Sequence, residues 1–425
     1  MIEFSPRLIF LIVFIAGMSY LLYKDRNKIE RTSILFYRRT KNGIDKIDAI
    51  QKRFPRFWKA YGWGAAISGV LSMILAAVYI GNQYIKVFQV GSIKESGLSA
   101  VLPGLVSESS FQPGVSFIPV EYWLIGIAVL MTVHELSHGI VARSEGFEIN
   151  SVGWIVLGIF PGAFVEPKGE KMLPGDEEEQ EDEEDSEDED KEDSDNTGLW
   201  DQGSLSSRIK VLGAGSFANY LTAIVFMIAA IGLTSAVAQP GDMVYVAQDN
   251  EPAAQAGMNN GTLYSFNGEQ LNSREQLIQL TQDLEPGQNV TLNTSEGVFT
   301  VETRARNTTP QGGIPGIYTW DKGPQETEGY IGILFGQRSE LNEPFQPYEG
   351  FLTWLISMFE TIAVLNIGIG LVNMLPIKPL DGGQILGGVI DKYLGEKPSM
   401  AFNYVSLAGM ILLLGTIILS IATAL

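Results

Sequence analysis

The chain has 425 residues, of which 45% are hydrophobic and 18% charged, with a formal net charge of −20 and no cysteine. The lack of cysteine excludes a disulfide framework, thiolate metal ligands and a thiol nucleophile. The acidity is local: from Asp176 to Asp195 there are 16 acidic residues against Lys191 alone, which leaves about −5 for the rest of the chain. That run reads as a solvated, self-repelling disordered loop.

In chain order, the first apolar run, at 6–23, has no basic region before it and no small-residue cleavage site after it, so it reads as a retained anchor. Runs long enough to cross a hydrocarbon core of about 30 Å recur at 61–81, 121–143, 209–237, 350–376 and 400–425. The expectation is a polytopic α-helical membrane protein with about six transmembrane helices. Residues 24–59 hold 12 Lys and Arg, whereas 82–120 hold only Lys86 and Lys94. The positive-inside rule then makes 24–59 cytoplasmic and the N-terminus extracytoplasmic. By alternation, the 121–143 span runs inward, the acidic loop is cytoplasmic, and 240–345 and the C-terminus lie outside.

Residues 152–166, VGWIVLGIFPGAFVE, are apolar but too short and too rich in Gly and Pro to span as a helix. Non-helical backbone at membrane depth needs protein or a watery cavity beside it, so a re-entrant hairpin next to a site is expected, with an interfacial connector as the alternative. From about Asp242 to Arg306 the pattern changes to short alternating strands such as MVYVA and VTLNT. Turn signals stand at Asn267-Gly268 and Pro286-Gly287, with a helical patch at SREQLIQLTQDL. GYIGILFG, 329–336, supplies a last strand to this small α/β module. Its EPAAQAGM and SFNGEQLNS segments resemble the PDZ fold of membrane and periplasmic proteases. That resemblance implies capture of an extended peptide or a C-terminus by strand addition; a rigid spacer or size filter is the alternative.

MTVHELSHGIVAR, 131–143, contains the only two histidines of the chain, His134 and His138, with Glu135 between them. Positions i and i+4 share a helix face, so both imidazoles can meet one zinc ion, while Glu135 takes a proton from water there. Two histidines scattered at random fall four apart roughly once in 200 times, which lowers the false-positive risk of this short motif. A Glu and two His inside a membrane helix are costly in lipid, and a functional site is the default reading. Ser137 reads as a small packing residue. A catalytic zinc needs a third protein ligand, here a carboxylate. Asp381, in LVNMLPIKPLDGGQIL at 371–386, stands where prolines break an apolar span and is the best candidate, with Glu166, Glu360 and Asp391 as competitors.

His134-Glu135-Leu136-Ser137-His138 and the later Asn373-Met-Leu-Pro376-Ile-Lys-Pro-Leu-Asp381-Gly382 together resemble the two motifs of the site-2 protease family of intramembrane zinc metalloproteases (peptidase family M50). Gly215-Ser-Phe-Ala-Asn219 matches a third element of that family, Gly-x-x-x-Asn, and PGAFVEP at 161–167 resembles the segment after its catalytic helix. The resemblance covers roughly 115–390; the first 85 residues and the acidic run have no counterpart. It implies one Zn2+ per chain on His134, His138 and Asp381, with Glu135 as catalytic base. Asn373 is implied to hold substrate or the developing oxyanion, and Asn219 to support the site. Gly158, Phe160, Pro161 and Gly162 are implied to form a hairpin edge against which an unwound substrate helix pairs.

The expected organisation is an N-terminal two-helix membrane region with a basic cytoplasmic loop (1–85) and a first part of the catalytic core (115–238) that includes the acidic loop 170–200. A PDZ-like extracytoplasmic domain (240–340) and a second part of the core (348–425) follow. The expected substrate is a single-span membrane protein in the lipid bilayer of a prokaryotic cell, archaeal or bacterial, already trimmed on its outer side; no nucleic acid is involved. A non-proteolytic PDZ-containing scaffold with a structural or vestigial zinc site is the rival. It is disfavoured because structural zinc usually has four protein ligands. A metal transporter would want more ligands along its spans.

Overall fold

The computed structural model describes residues 6–32, 35–90, 99–106, 110–112, 114–157, 160–169, 198–200, 202–248, 250–305 and 329–424. Gly158 and the acidic run at 176–195 lie outside the described residues. Two compact units emerge, one of Met1–Ile228 with Ser357–Leu425 and one of Ala229–Ile356.

The first unit opens with α1 (Pro6–Asp25), β1 (Glu30–Thr32), β2 (Leu35–Thr40), α2 (Ile44–Arg53) and the 36-residue α3 (Pro55–Val90). A small sheet of order β3-β5-β4, built from β3 (Ser99–Gly104), β4 (Ser110–Gln112) and β5 (Gly114–Pro119), leads into α4 (Val120–Ser144). Then come β6 (Ile149–Leu157), β7 (Phe160–Pro167) and α5 (Leu205–Val237).

The second unit holds β8 (Ala238–Ala247), α6 (Pro252–Gln255), β9 (Asn260–Phe266), β10 (Glu269–Gln270), α7 (Arg274–Gln282) and β11 (Asn289–Thr294). It continues with β12 (Gly297–Glu302), β13 (Arg304–Ala305), β14 (Gly329–Tyr330) and β15 (Ile333–Leu341). The chain closes with α8 (Glu349–Asn373), α9 (Asp381–Leu394) and α10 (Glu396–Ala424).

Among the described residues, six helices are long and apolar enough to cross a membrane: Leu8–Asp25, Pro55–Val87, Val120–Ser144, Leu205–Val237, Glu343–Asn373 and Lys397–Ala422. The chain is a polytopic helical membrane protein. Each apolar run of the sequence overlaps one of these helices, but the 350–376 run overshoots the end of α8 at Asn373 and α3 is much longer than the 61–81 run. Hydropathy marks only the lipid-crossing middle, whereas backbone hydrogen bonding continues through Arg56, Lys59 and beyond. Large apolar side chains stay exposed on α5 (Ile224, Val225, Ile228) and α10 (Val405, Leu407, Ile411), as the hydrocarbon phase requires.

The basic stretch between the first two spans is more than a loop. Its strand β2 pairs antiparallel with β6 from Leu35 opposite Leu157 to Thr40 opposite Val152, giving a four-stranded sheet of order β1-β2-β6-β7. The hairpin expected at 152–166 is therefore half of a larger sheet. A six-residue strand whose hydrogen-bond partner lies more than 110 residues away leaves no local pattern to read. Helix α2 then lays Ile47 against Ile140, Ile149 and Val165, and Asp48 receives two hydrogen bonds from Arg143, Nε to Oδ1 at 2.5 Å and Nη2 to Oδ2 at 2.9 Å.

Those bonds hold the Asp48 carboxyl below its usual range. A depressed carboxylate contributes stability above its unfolded pKa and loses it as pH falls through the folded one. Asp48→Asn is expected to lower the thermal midpoint by about 2–4 °C at neutral pH, with the difference shrinking as pH falls below the ordinary carboxylate range of about 4, read by a melting series across pH.

In the second unit β11 buries Val290, Leu292 and Thr294 and exposes the residues between, the period-2 pattern of a half-covered sheet. The sheet runs β12-β11-β9-β8-β15, with β10 on β9. Asn267 and Gly268, at φ 50° and 84°, form the left-handed pair that a tight hairpin needs. Ser273 caps α7 by accepting from Gln276 N at 3.1 Å. Tyr245, Leu263, Phe266, Leu277 and Leu292 form the core, at about 2 kcal/mol for each large side chain withdrawn from water.

Candidate metal centre

Helix α4 buries Leu130, His134, Ser137 and Val141, spaced three or four apart, on one face. Ser137 bolts that face to its neighbours: Oγ donates to Ala214 O at 2.9 Å and meets the Tyr61 hydroxyl at 2.9 Å. The packing role read for Ser137 matches these contacts. One helical turn apart, His134 Nε2 and His138 Nε2 lie 3.0 Å from each other.

Asp381 arrives from the other end of the chain. After α8 ends at Asn373, a loop containing Pro376 and Pro379 doubles back so that α9 begins at Asp381. Gly382 and Gly383 are needed for that approach, because a Cβ would fall 2.1 Å from Met374 O and 2.2 Å from Ile377 C respectively. Asp381 Oδ2 ends 3.5 Å from His134 Nε2 and 3.3 Å from His138 Nε2.

The three donor separations can be tested against zinc. Ligands at 2.0–2.2 Å in tetrahedral array stand about 3.3 Å from one another, and the observed 3.0, 3.3 and 3.5 Å bracket that value. His138 Nδ1 contacts Val211 O at 2.7 Å, so it carries the proton and leaves Nε2 as the free donor. His134 Nδ1 lies 3.1 Å from the amide of Asn219, whose buried Oδ1 has no donor. Exchanging the two ends of that amide lets Oδ1 accept from Nδ1–H, which satisfies the oxygen and frees His134 Nε2 as well. Gly215 completes the cradle: a Cβ there would lie 2.3 Å from His138 Nε2 and 2.5 Å from His134 Nε2. The donor set fits a zinc ion.

Glu135, next to the first histidine, accepts from Val165 N in β7 at 3.1 Å. Asn373 Nδ2 donates to Asp381 Oδ2 at 2.6 Å and lies 3.1 Å from His134 Nε2. These groups line a cavity of about 290 Å³ whose other walls include Leu130, Val165, Trp200 and Ile369. Phe160, Pro161 and Gly162 lie in β7, opposite Leu157, Val156 and Ile155 of β6.

The competing carboxylates are elsewhere. Glu166 is buried, accepting from Ser151 Oγ at 2.5 Å and Asn150 Nδ2 at 3.3 Å, with Arg39 Nε at 3.5 Å. Glu360 and Asp391 are exposed. Glu166→Gln is expected to leave one zinc per chain by metal analysis and to lower the melting midpoint, because it loosens the sheet and not the donor set. Val165, Val211 and Trp200 were not legible as site residues: two act through backbone atoms, and Trp200 reaches the cavity only by tertiary folding.

The sequence model described as peptidase family M50 matches residues 122–416. The chain belongs to peptidase family M50. Among its relatives, a Nostoc sp. protein described as a candidate zinc metalloprotease is 25% identical over 340 residues, 68% of this chain and 91% of the relative. The regulator of sigma-W protease RasP of Bacillus subtilis is 26% identical over 225 residues, 44% of this chain and 51% of RasP. The membrane-bound transcription factor site-2 protease homolog of Arabidopsis thaliana is 30% identical over 129 residues, 29% of this chain and 23% of that protein. This M50 chain is thus a membrane zinc metalloprotease of the site-2 protease family, and His134, His138 and Asp381 form its cluster of metal-ligand type.

Proposed function

We propose that this protease cuts the transmembrane segments of single-span membrane proteins inside the bilayer. The observation that carries the reading is the 3.1 Å bond from Val165 N to Glu135. Among the described strands β7 pairs only with β6, and Val165 turns its N–H away from β6. The groups of Ala163 lie on that same edge by the alternation of the ladder. A helical substrate hides its carbonyls in its own hydrogen bonds; pairing with this edge keeps it extended beside Glu135.

In this reading His134, His138 and Asp381 hold the metal. Zinc bound there would polarise the scissile carbonyl and acidify water. Glu135 accepts a proton from a water molecule as the water oxygen bonds to the scissile carbonyl carbon, and delivers that proton to the amide nitrogen as the C–N bond breaks, so one carboxylate serves as base and then as acid. Asn373 offers its amide to the substrate carbonyl as negative charge develops on its oxygen. Asn219 and the Val211 carbonyl fix the two imidazoles. The apolar cavity walls limit water, and by the positive-inside reading water enters, and a released fragment leaves, on the cytoplasmic side.

The second unit is read as the PDZ-like domain, outside the membrane. Among the described strands β15 is a free sheet edge, and a groove of about 440 Å³ lies between it and α7, lined by Ile278, Leu284, Ile333 and Phe335 with Arg274. An extended chain end fits there, its carboxylate toward Arg274. The test is cleavage of a single-span substrate by the purified chain in vesicles, with the cut mapped by mass spectrometry. A cut within the apolar segment supports the reading; cuts only in soluble flanks, or none, refute it.

A further inference from the structure

A second cavity, of about 170 Å³, lies beside the metal cavity and shares Trp200, Leu212 and Gln384 with it as a common wall. It is formed by the first turns of α5 (Leu205, Arg208, Ile209) facing α9 (Ile385, Gly388, Asp391), with Lys378 reaching in from the loop before Asp381. Two cations and one carboxylate line it, and among the described residues none of the three makes an ion pair. Lys378 Nζ donates to Asn403 Oδ1 at 3.0 Å. Arg208 makes no side-chain hydrogen bond among the described residues, and its Nε is fully buried and without an acceptor. A buried charged donor left unmatched is costly, and such groups mark places where a ligand supplies the acceptor.

We infer that this cavity is a substrate subsite that takes an acidic side chain, Asp or Glu, from the segment being cut, with Arg208 binding the carboxylate and Lys378 adding positive charge. The inference rests on the proteolytic reading above. A carboxylate matches the planar fork of a guanidinium, which can grip both oxygens. The volume admits one side chain. The shared wall limits the distance: an extended chain advances about 3.3 Å per residue, so the neighbouring cavity receives a residue within a few positions of the cut bond. The loop that delivers Asp381 to the metal also delivers Lys378, three residues earlier, to this second cavity, and Gln384 stands in the wall of both.

The test uses the full chain in phosphatidylcholine vesicles and a single-span substrate with Asp, Asn or Lys placed in turn at each of the positions flanking the mapped cut. Cleavage, and binding to the Glu135→Gln protein, are both measured. At one position or two adjacent ones, Asp is expected to raise kcat/KM and binding about tenfold over Asn, and Lys to lower both. Arg208→Gln removes the preference, Arg208→Lys keeps part of it, and Arg208→Glu reverses it so that Lys is now favoured; Lys378→Gln weakens it in the same direction. That reversal is not available to a merely misfolded variant. Indifference of the wild-type protein to the charge at every position overturns the subsite. Failure of wild-type protein to cut any substrate overturns the proteolytic reading instead, while the binding arm still decides the subsite. If the effect of Arg208→Gln appears only with phosphatidylglycerol present and ignores the substrate's charge, the cavity holds a lipid headgroup and the inference fails.

Discussion

Glu135→Gln is expected to reduce cleavage about 10³-fold while leaving zinc at one per chain. The amide replaces the carboxylate almost atom for atom, and its oxygen still accepts from Val165 N, so the position of β7 is retained. What disappears is the capacity to take a proton and return it. His134, His138 and Asp381 are untouched, and the metal stays. Kinetics and metal analysis on the same preparation check this. Loss of zinc together with activity would assign Glu135 to the donor set; unchanged cleavage would remove it from the mechanism.

Gly215→Ala is expected to abolish zinc binding and activity although it alters no donor. The new methyl would lie 2.3–2.5 Å from ring nitrogens of both histidines, well inside contact distance. The helix cannot simply retreat, because both neighbours hold it: Ser137 Oγ donates to Ala214 O on one side and Ser216 Oγ donates to Gly370 O on the other. The imidazoles must therefore move, and a displacement of about 1 Å is enough to spoil a tetrahedral site. Gly232→Ala on the same helix meets nothing within 4 Å and serves as the control. Metal analysis and circular dichroism of the two variants read the outcome; full zinc in Gly215→Ala would mean that α5 does not form this wall.

The features that could be read from the sequence are those written in short periods or in scarcity. The i, i+4 pair of histidines, the absence of cysteine and a proline-broken apolar span narrowed the donor set to His134, His138 and a carboxylate, for which Asp381 was the first choice. In the structure that carboxylate stands beside both imidazoles, and Glu166, Glu360 and Asp391 do not. The six spans were legible because each is a continuous apolar run, and the Asn267-Gly268 turn because left-handed backbone selects those residues.

The contribution of β2 was not legible, since its hydrogen bonds go to β6 and its own six residues carry no alternation that separates it from a basic loop. Nor was the link from Asp48 to Arg143, 95 residues apart. Val165 and Val211 act through main-chain atoms that any residue supplies. Gly215 stood in a quoted motif, yet only the positions of the two rings show what its missing Cβ makes room for.

The role of Asp381 as a metal ligand is tested most directly by the zinc content of purified wild-type and Asp381→Ala protein, measured side by side after removal of loosely bound metal. One zinc per chain is expected in the wild type and almost none in Asp381→Ala, with cleavage lost in step. One zinc per chain retained in Asp381→Ala, with cleavage intact, would contradict it.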